Sequence, residues 1–307
     1  MTENSLENLL KPSTLAAIKD LEILAKTVIS GYFTGLHRST YKGSGIEFVQ
    51  YRNYTQGDDF KYIDWKTTGK SDKFYIKVFE EETNMDCQLI LDFSGSMNYD
   101  NPNSNEKFAA VSKIKYTQMA AACLAYLAFK QGDRLGVTIF SDKIEAYATP
   151  SKRKEHLNQI FALLENTKAH GSGINENITR FIGENLNNRG VVFFISDCLS
   201  GEDRIVNLLS SLKFKNYDCV LIHLLHYDEV HFPFQNSHMF IDNETNSSIS
   251  TNPETIKEEY QKEVTQFVDN LKNECLAKEI EYLQVTTNNV LEKILLQFLS
   301  SSRKAFR

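Results

Sequence analysis

Cysteine is scarce. Five residues in 307, none in a C-x-x-C pair, leave no basis for a disulfide framework or a thiolate metal site. The count of Cys87, Cys123, Cys198, Cys219 and Cys275 is odd, and four stand in apolar or helical runs, where a free cysteine behaves as a small hydrophobe. A reducing compartment is the expectation. No apolar run approaches the roughly 18–20 residues that span a bilayer. The opening MTENSLENLLKPS lacks the basic and then apolar segments of a secretory signal. The expected protein is cytoplasmic and has no membrane span. Basic charge is short as well: 34 Lys and Arg against 40 Asp and Glu give a net charge of -6, which argues against non-specific nucleic-acid binding. Enzyme signatures are missing, with no G-x-G-x-x-G opening a helix, no G-x-x-x-x-G-K-[ST], no H-E-x-x-H and no G-x-S-x-G. A protein that is not an enzyme is expected.

What remains is ordinary globular composition, 41% hydrophobic and 24% charged, enough to bury a core without staples. Residues 5–30 read as helical, in two pieces around Pro12, with Leu15, Ile18, Leu21, Leu24 and Val28 at three- and four-residue spacing. Residues 31–83 are polar, Gly-rich and aromatic. The alternation of Phe74, Ile76 and Val78 reads as a strand, so residues 1–83 are expected to form a helix and a small β-rich region. From residue 84 onward, apolar strand-like runs (CQLILDF, RLGVTIF, GVVFFISD, CVLIHLLH, EIEYLQVT) alternate with helical runs, the longest over 106–130 and 256–280. This order predicts an α/β domain over 84–307: a doubly wound, mostly parallel sheet with helices on both faces and a ligand crevice at the strands' carboxyl ends. An inserted hairpin is expected near 228–255.

The strand QLILDF ends in Asp92-Phe93-Ser94-Gly95-Ser96. An apolar strand followed by D-x-S-x-S places one carboxylate and two hydroxyls at a strand's carboxyl end. Hydroxyls with few carboxylates suit a hard, oxygen-seeking cation that keeps several waters, Mg²⁺ above all. GVVFFISD ends a later strand in Ser196-Asp197, a second acid in the same topological position. Capping and turn formation by Asp and Ser are the competing reading of the loop.

These residues carry a resemblance. DFSGS after an apolar strand, with ISD ending a later one, resembles the metal-ion-dependent adhesion site of von Willebrand factor A domains. GYFTGLHRSTYKGSG, GIEFVQYRNYTQGDDFKYIDWK, FYIKVFEEE and FIDNETNSS resemble the bacterial domain-of-unknown-function-58 family over nearly the whole chain. The resemblance implies a von Willebrand factor A-type domain acting as a protein-interaction module beside a MoxR-type AAA+ ATPase, in a chaperone-like role. It places Asp92, Ser94, Ser96 and Asp197 at the metal, with Mg²⁺ foremost and Mn²⁺ or Ca²⁺ as alternatives. The family's third loop carries a Thr ligand. The matching stretch here is Gly171-Ser172-Gly173-Ile174-Asn175, and Ile174 cannot coordinate. Ser172 and Asn175 are the remaining donors. Two other readings stay open at this point: a metal-assisted hydrolase using the same loop, and a scaffold whose metal loop is vestigial.

Two further groups of residues have distinctive chemistry. Arg52, Asp58, Asp59, Asp64 and Trp65 form either a partner surface, with Trp beside Arg and Asp as at an interface hot spot, or ties that hold the β-rich region to the core. His223 and His226, with Asp228, have the residue types of a transition-metal site. Residues three apart on a strand, however, face opposite sides.

Overall fold

The structure is a computed structural model. It describes residues 11–35, 50–53, 75–78, 85–101, 111–236, 238–241 and 247–304. The elements in chain order begin with α1 (Pro12–Leu15), α2 (Leu21–Gly35), β1 (Gln50–Asn53), β2 (Tyr75–Val78) and β3 (Asp86–Asp92). They continue with α3 (Lys113–Gln131), β4 (Arg134–Phe140), β5 (Ile144–Ser151), α4 (Lys154–Asn166), α5 (Glu176–Asn185) and β6 (Gly190–Ser196). Then come α6 (Glu202–Phe214), β7 (Tyr217–Leu225), α7 (Tyr227–His231), β8 (His238–Ile241) and β9 (Ser248–Thr251). The last are α8 (Pro253–Ala277), β10 (Glu281–Thr286) and α9 (Glu292–Lys304).

Six strands form one sheet in the order β10-β7-β6-β3-β4-β5. Every pairing is parallel except β4 with the edge strand β5. Counted within the sheet, this is the doubly wound order 3-2-1-4-5-6 with an antiparallel third strand. The expected α/β architecture is therefore observed. The apolar runs bury both faces by simple alternation. Cys87, Leu89 and Leu91 of β3, with Val191, Phe193 and Ile195 of β6, join the core under α2, α3, α4 and α9. Ile90, Val192 and Phe194 join the core under α5, α6 and α8.

Helix α3 shows how sequence sets the layer. Ala120, Ala121, Ala122, Ala125 and Ala128 are buried along with Tyr116, Met119, Cys123, Leu124 and Leu127. A helix apolar on nearly all sides is buried on nearly all sides, and small side chains let neighbours approach closely. Ser112 caps its first turn by accepting from the Lys115 amide, and Gly132 ends it at φ 79, a left-handed conformation that glycine adopts without steric cost.

Several element boundaries differ from the expectation. The helix expected over 106–130 is described from Lys113 to Gln131, and residues 102–110 lie outside the described residues. Pro12 opens α1, at the position where its missing N–H costs nothing, and a further break falls at residues 16–20; the expected helical piece ahead of Pro12 lies outside the described residues. The insertion over 228–255 contains a short helix, α7, before the β8–β9 hairpin. Edge strand β5 has no counterpart in the sequence reading. In the N-terminal region β1 pairs antiparallel with β2, and Arg52 stands opposite Ile76. The expected boundary at residue 83 lies outside the described residues, yet α2 belongs to the α/β core: Leu21, Leu24, Ala25 and Val28 are buried in the same cluster as the sheet.

Candidate functional site

The parallel register brings two strand ends together. Leu91 of β3 pairs with Ile195 of β6, so Asp92 stands level with Ser196, and Asp197 follows at once. Asp92 is 2% exposed and Asp197 1%. The Ser196 hydroxyl donates to Asp92 Oδ2 at 2.6 Å, and the Ser94 amide donates to Asp92 Oδ1 at 2.9 Å. The hydroxyls of Ser94 and Ser96 lie 3.1 Å apart, and Ser96 also hydrogen-bonds Asp197. The four sequence-predicted residues Asp92, Ser94, Ser96 and Asp197 thus converge at the carboxyl edge of the sheet, where a doubly wound fold opens its crevice.

The third loop is stitched to the first. The Gly95 amide donates to the Gly171 carbonyl at 2.9 Å, and the His170 amide donates to the Phe93 carbonyl at 2.8 Å. Gly173, at φ 82, lies so close that a Cβ there would stand 2.4 Å from Ser200 Oγ and 3.6 Å from Ser94 Cβ. Ile174, at the position where the family's Thr is expected, is turned into the apolar core beneath α5 and α6. Asn175 spends its side chain on local hydrogen bonds. Its Oδ1 accepts from the Asn177 and Ile178 amides as the cap of α5, and its Nδ2 donates to the Asp142 carbonyl at 2.6 Å. Ser172 is exposed on this loop.

One participant was not anticipated. Lys113, the first residue of α3, is fully buried, and its ammonium donates to Asp197 Oδ2 at 2.7 Å and to Glu229 Oε1 at 2.6 Å. Glu229 is held in turn by the His226 amide at 2.6 Å. A signal for Lys113 did exist. A cation in the first turn of a helix opposes the helix dipole, and a lysine opening an alanine-rich apolar helix calls for anionic partners. Those partners are remote in sequence, 84 and 116 residues away.

Lys113 also makes the two aspartates unequal. Burial alone would raise the Asp197 carboxyl, but the Lys113 charge and hydrogen bond outweigh it and hold Asp197 below the usual carboxylate range. Asp92 has no such partner. Burial, followed by the Asp197 charge, pushes it up to about 7, against the pull of the Ser196 and Ser94 hydrogen bonds. For Lys113 burial is likewise unfavourable to charge, and the two carboxylates overcome it and raise the ammonium above its ordinary value. The backbone turns sharply beside this pair: Cys198 takes φ 55, with its amide donating to Ser196 Oγ at 2.9 Å. A non-glycine residue in that region is an uncommon, strained conformation of the kind that clusters at functional sites.

The remaining sequence candidates do not converge here. His223 donates from Nε2 to the Asp197 carbonyl at 3.0 Å, and its Nδ1 lies 2.6 Å from the Tyr282 hydroxyl. His226 caps α7 by accepting at Nδ1 from the Asp228 amide. The two rings are committed to different partners. Among the described residues no group of three or more His, Cys, Asp or Glu side chains is arranged to hold a metal ion. His170 is half exposed, 3.6 Å from Glu145 Oε1. Asp58, Asp59, Asp64 and Trp65 lie outside the described residues, and Arg52 is described by its backbone pairing in β1.

Among curated proteins, this chain is similar to the uncharacterized protein Rv1480 of Mycobacterium tuberculosis and to Mb1516 of Mycobacterium bovis, each 23% identical over 191 residues. The match covers 61% of this chain and 58% of each relative, so the chain spans somewhat over half the length of the curated relatives it matches. Among solved structures it is similar to BatB from Bacteroides thetaiotaomicron, a conserved hypothetical protein, at 13% identity and a TM-score of 0.48, covering 72% of this chain and 99% of that one. It is also similar to the SpRpn10 VWA domain at 9% identity and a TM-score of 0.41, covering 70% and 95%. The strand order carries the fold: a von Willebrand factor A-like sheet with its single antiparallel edge strand. With a family model matching residues 50–268, more than half its length, the chain belongs to the family described as protein of unknown function DUF58.

Proposed function

We propose that the carboxyl edge of the sheet is a protein-docking site centred on a divalent cation, and that the chain works as an interaction module without catalytic activity of its own. The observation that carries this reading is the convergence of Asp92, Ser94, Ser96 and Asp197, with the Asp92 carboxyl pushed up to about 7. A buried carboxyl that ionises reluctantly beside a second carboxylate is short of positive charge, and a cation supplies it. The donor set suits Mg²⁺: two adjacent hydroxyls and one carboxylate with neutral hydrogen-bond donors alone leave places for retained waters. Ser94, Ser96 and Asp92 would hold the ion, with Asp197 behind Ser96. The ion would supply a positive centre that an acidic side chain of a partner completes.

The rim fits docking as well. Leu199, two residues beyond Asp197, is 52% exposed. Among the described residues no helix is long and apolar enough to cross a membrane, and the proposed setting is the cytoplasm. The partner proposed from the family resemblance is a MoxR-type AAA+ ATPase, with this chain assisting it in a chaperone-like role. The buried Ile174 and the committed Asn175 favour one competing reading, a scaffold whose metal loop is vestigial. Isothermal titration with Mg²⁺ and with Mn²⁺ separates the two. Wild type is expected to take up one ion and Asp92→Ala none. Identical traces from the two proteins would leave the scaffold reading standing. Capture of a purified MoxR-type ATPase by wild type, lost on adding EDTA and in Asp92→Ala, is the expected result for the partner.

A further inference from the structure

The loop does not face Asp197 as a free carboxylate. The Lys113 ammonium is 2.7 Å from Asp197 Oδ2 and 2.6 Å from Glu229 Oε1, and the lysine side chain is 0% exposed. The other Asp197 oxygen accepts from the Leu199 amide at 3.2 Å. Both oxygens of Asp197 therefore have a resident donor, one of them fully charged. Asp92 has neutral donors only, the Ser196 hydroxyl and the Ser94 amide. Lys113 is also placed against the local field. It opens a 19-residue helix, where the dipole repels a cation, and the two carboxylates it bridges hold it there.

Resting on the reading of this loop as a cation site, we propose that Lys113 is a built-in counter-cation that sets the charge and selectivity of that site. Its ammonium saturates Asp197 and leaves an incoming ion Asp92 as its single ionised ligand, with the hydroxyls of Ser94 and Ser96. One carboxylate and several waters satisfy Mg²⁺. Ca²⁺ takes 6–8 oxygens and gains affinity with the number of charged ligands, so a site held to one carboxylate disfavours it. The same fixed charge repels any divalent ion that approaches, keeping affinity low and binding reversible, and leaves the bound ion electropositive towards an acidic partner. Glu229 completes the device by holding the ammonium from the side of α7, so the charge cannot swing away from Asp197.

The test is calorimetric titration of the full chain with Mg²⁺ alone and with Ca²⁺ alone, on wild type, Lys113→Arg, Lys113→Met and the double variant Lys113→Met/Glu229→Gln. The double variant removes one of the two carboxylates that Lys113→Met strands, so it is expected to fold more stably than the single variant. Thermal melts followed by circular dichroism identify which proteins are folded. Folded protein lacking the ammonium is expected to bind Mg²⁺ at least ten-fold more tightly, with a larger gain for Ca²⁺, and Lys113→Arg to behave as wild type. Wild-type affinities and the wild-type Mg²⁺ preference in folded Lys113→Met or in the double variant overturn the role of Lys113 while leaving the cation site intact. Absence of binding in wild type and in every variant overturns the cation site itself, and the role of Lys113 with it.

Discussion

At His223 each ring nitrogen has one hydrogen-bond partner. The Asp197 carbonyl can only accept, so Nε2 carries the hydrogen, and Nδ1 accepts from the Tyr282 hydroxyl. Protonation of Nδ1 would oblige the Tyr282 hydroxyl to turn from donor to acceptor. Burial, the first cause, lowers the imidazole from 6.5 to about 4, although the Asp197 charge and carbonyl oppose it. A histidine lowered on folding contributes stability that is fully present above pH 6.5 and is lost as pH falls through about 4. The whole shift corresponds to about 3 kcal/mol. His223→Phe removes this titration but leaves the opposite shift of Asp92 common to both proteins. The expected outcome is a wild-type advantage in urea unfolding that shrinks steadily between pH 6.5 and 4. An advantage that stays constant across that window would show that the ring is already charged in the folded protein.

Elements are where the sequence was most and least informative. Strands β3, β6 and β7 were legible because they are short, continuous apolar runs, and Asp92 and Asp197 were legible because they end two of those runs. Strand β5 was not. Its eight residues, IEAYATPS, bury one side chain fully and carry Pro150, as befits an edge strand with a single neighbour. Lys113 was hidden for a different reason: its partners arrive from β6 and α7, and helical periodicity says nothing of contacts across the fold. Glycine shows the same limit. Gly183 in α5 and Gly190 opening β6 look alike in sequence. A Cβ on Gly183 meets nothing within 4 Å, whereas one on Gly190 would lie 2.0 Å from the Asp86 carbonyl oxygen, a backbone atom of the paired strand. Gly183→Ala is expected to stabilise by about 0.5–1 kcal/mol, through helix propensity. Gly190→Ala must push β6 off β3 and is expected to cost about 1–3 kcal/mol or more. Denaturant midpoints moving apart in those directions, at unchanged slope, are the readout. Equal shifts would contradict the close approach at the base of the sheet.

At the scale of the whole molecule, the family-matched segment and the folding unit are different objects. The match covers residues 50–268. The core does not stop there. Phe298 of α9 is 0% exposed and stacks on Phe193 of β6 with ring centroids 5.3 Å apart. Strand β10 covers β7 in register from Glu281 to Thr286. On the same face α2 buries Leu24, Ala25 and Val28, and the Leu21 amide is tied to Glu165 of α4 at 3.0 Å. Residues 11–35 and 269–304 thus cover the helix and strands that position Asp92 and Lys113. Removing them would expose α3, β6 and β7 to water and leave an uncovered edge on the sheet, a template for association. Leu24→Ala is therefore expected to cost about 2–5 kcal/mol and Phe298→Ala about 3–5 kcal/mol. Both losses should appear in the same cooperative urea transition that reports the α/β sheet, although both positions lie outside the matched segment. A protein cut to residues 50–268 is expected to aggregate or to unfold without a sharp transition. If that piece instead unfolds cooperatively at the wild-type midpoint, or if Leu24→Ala melts α2 in a separate earlier step, the N-terminal helix is an appendage and the core ends where the family match does.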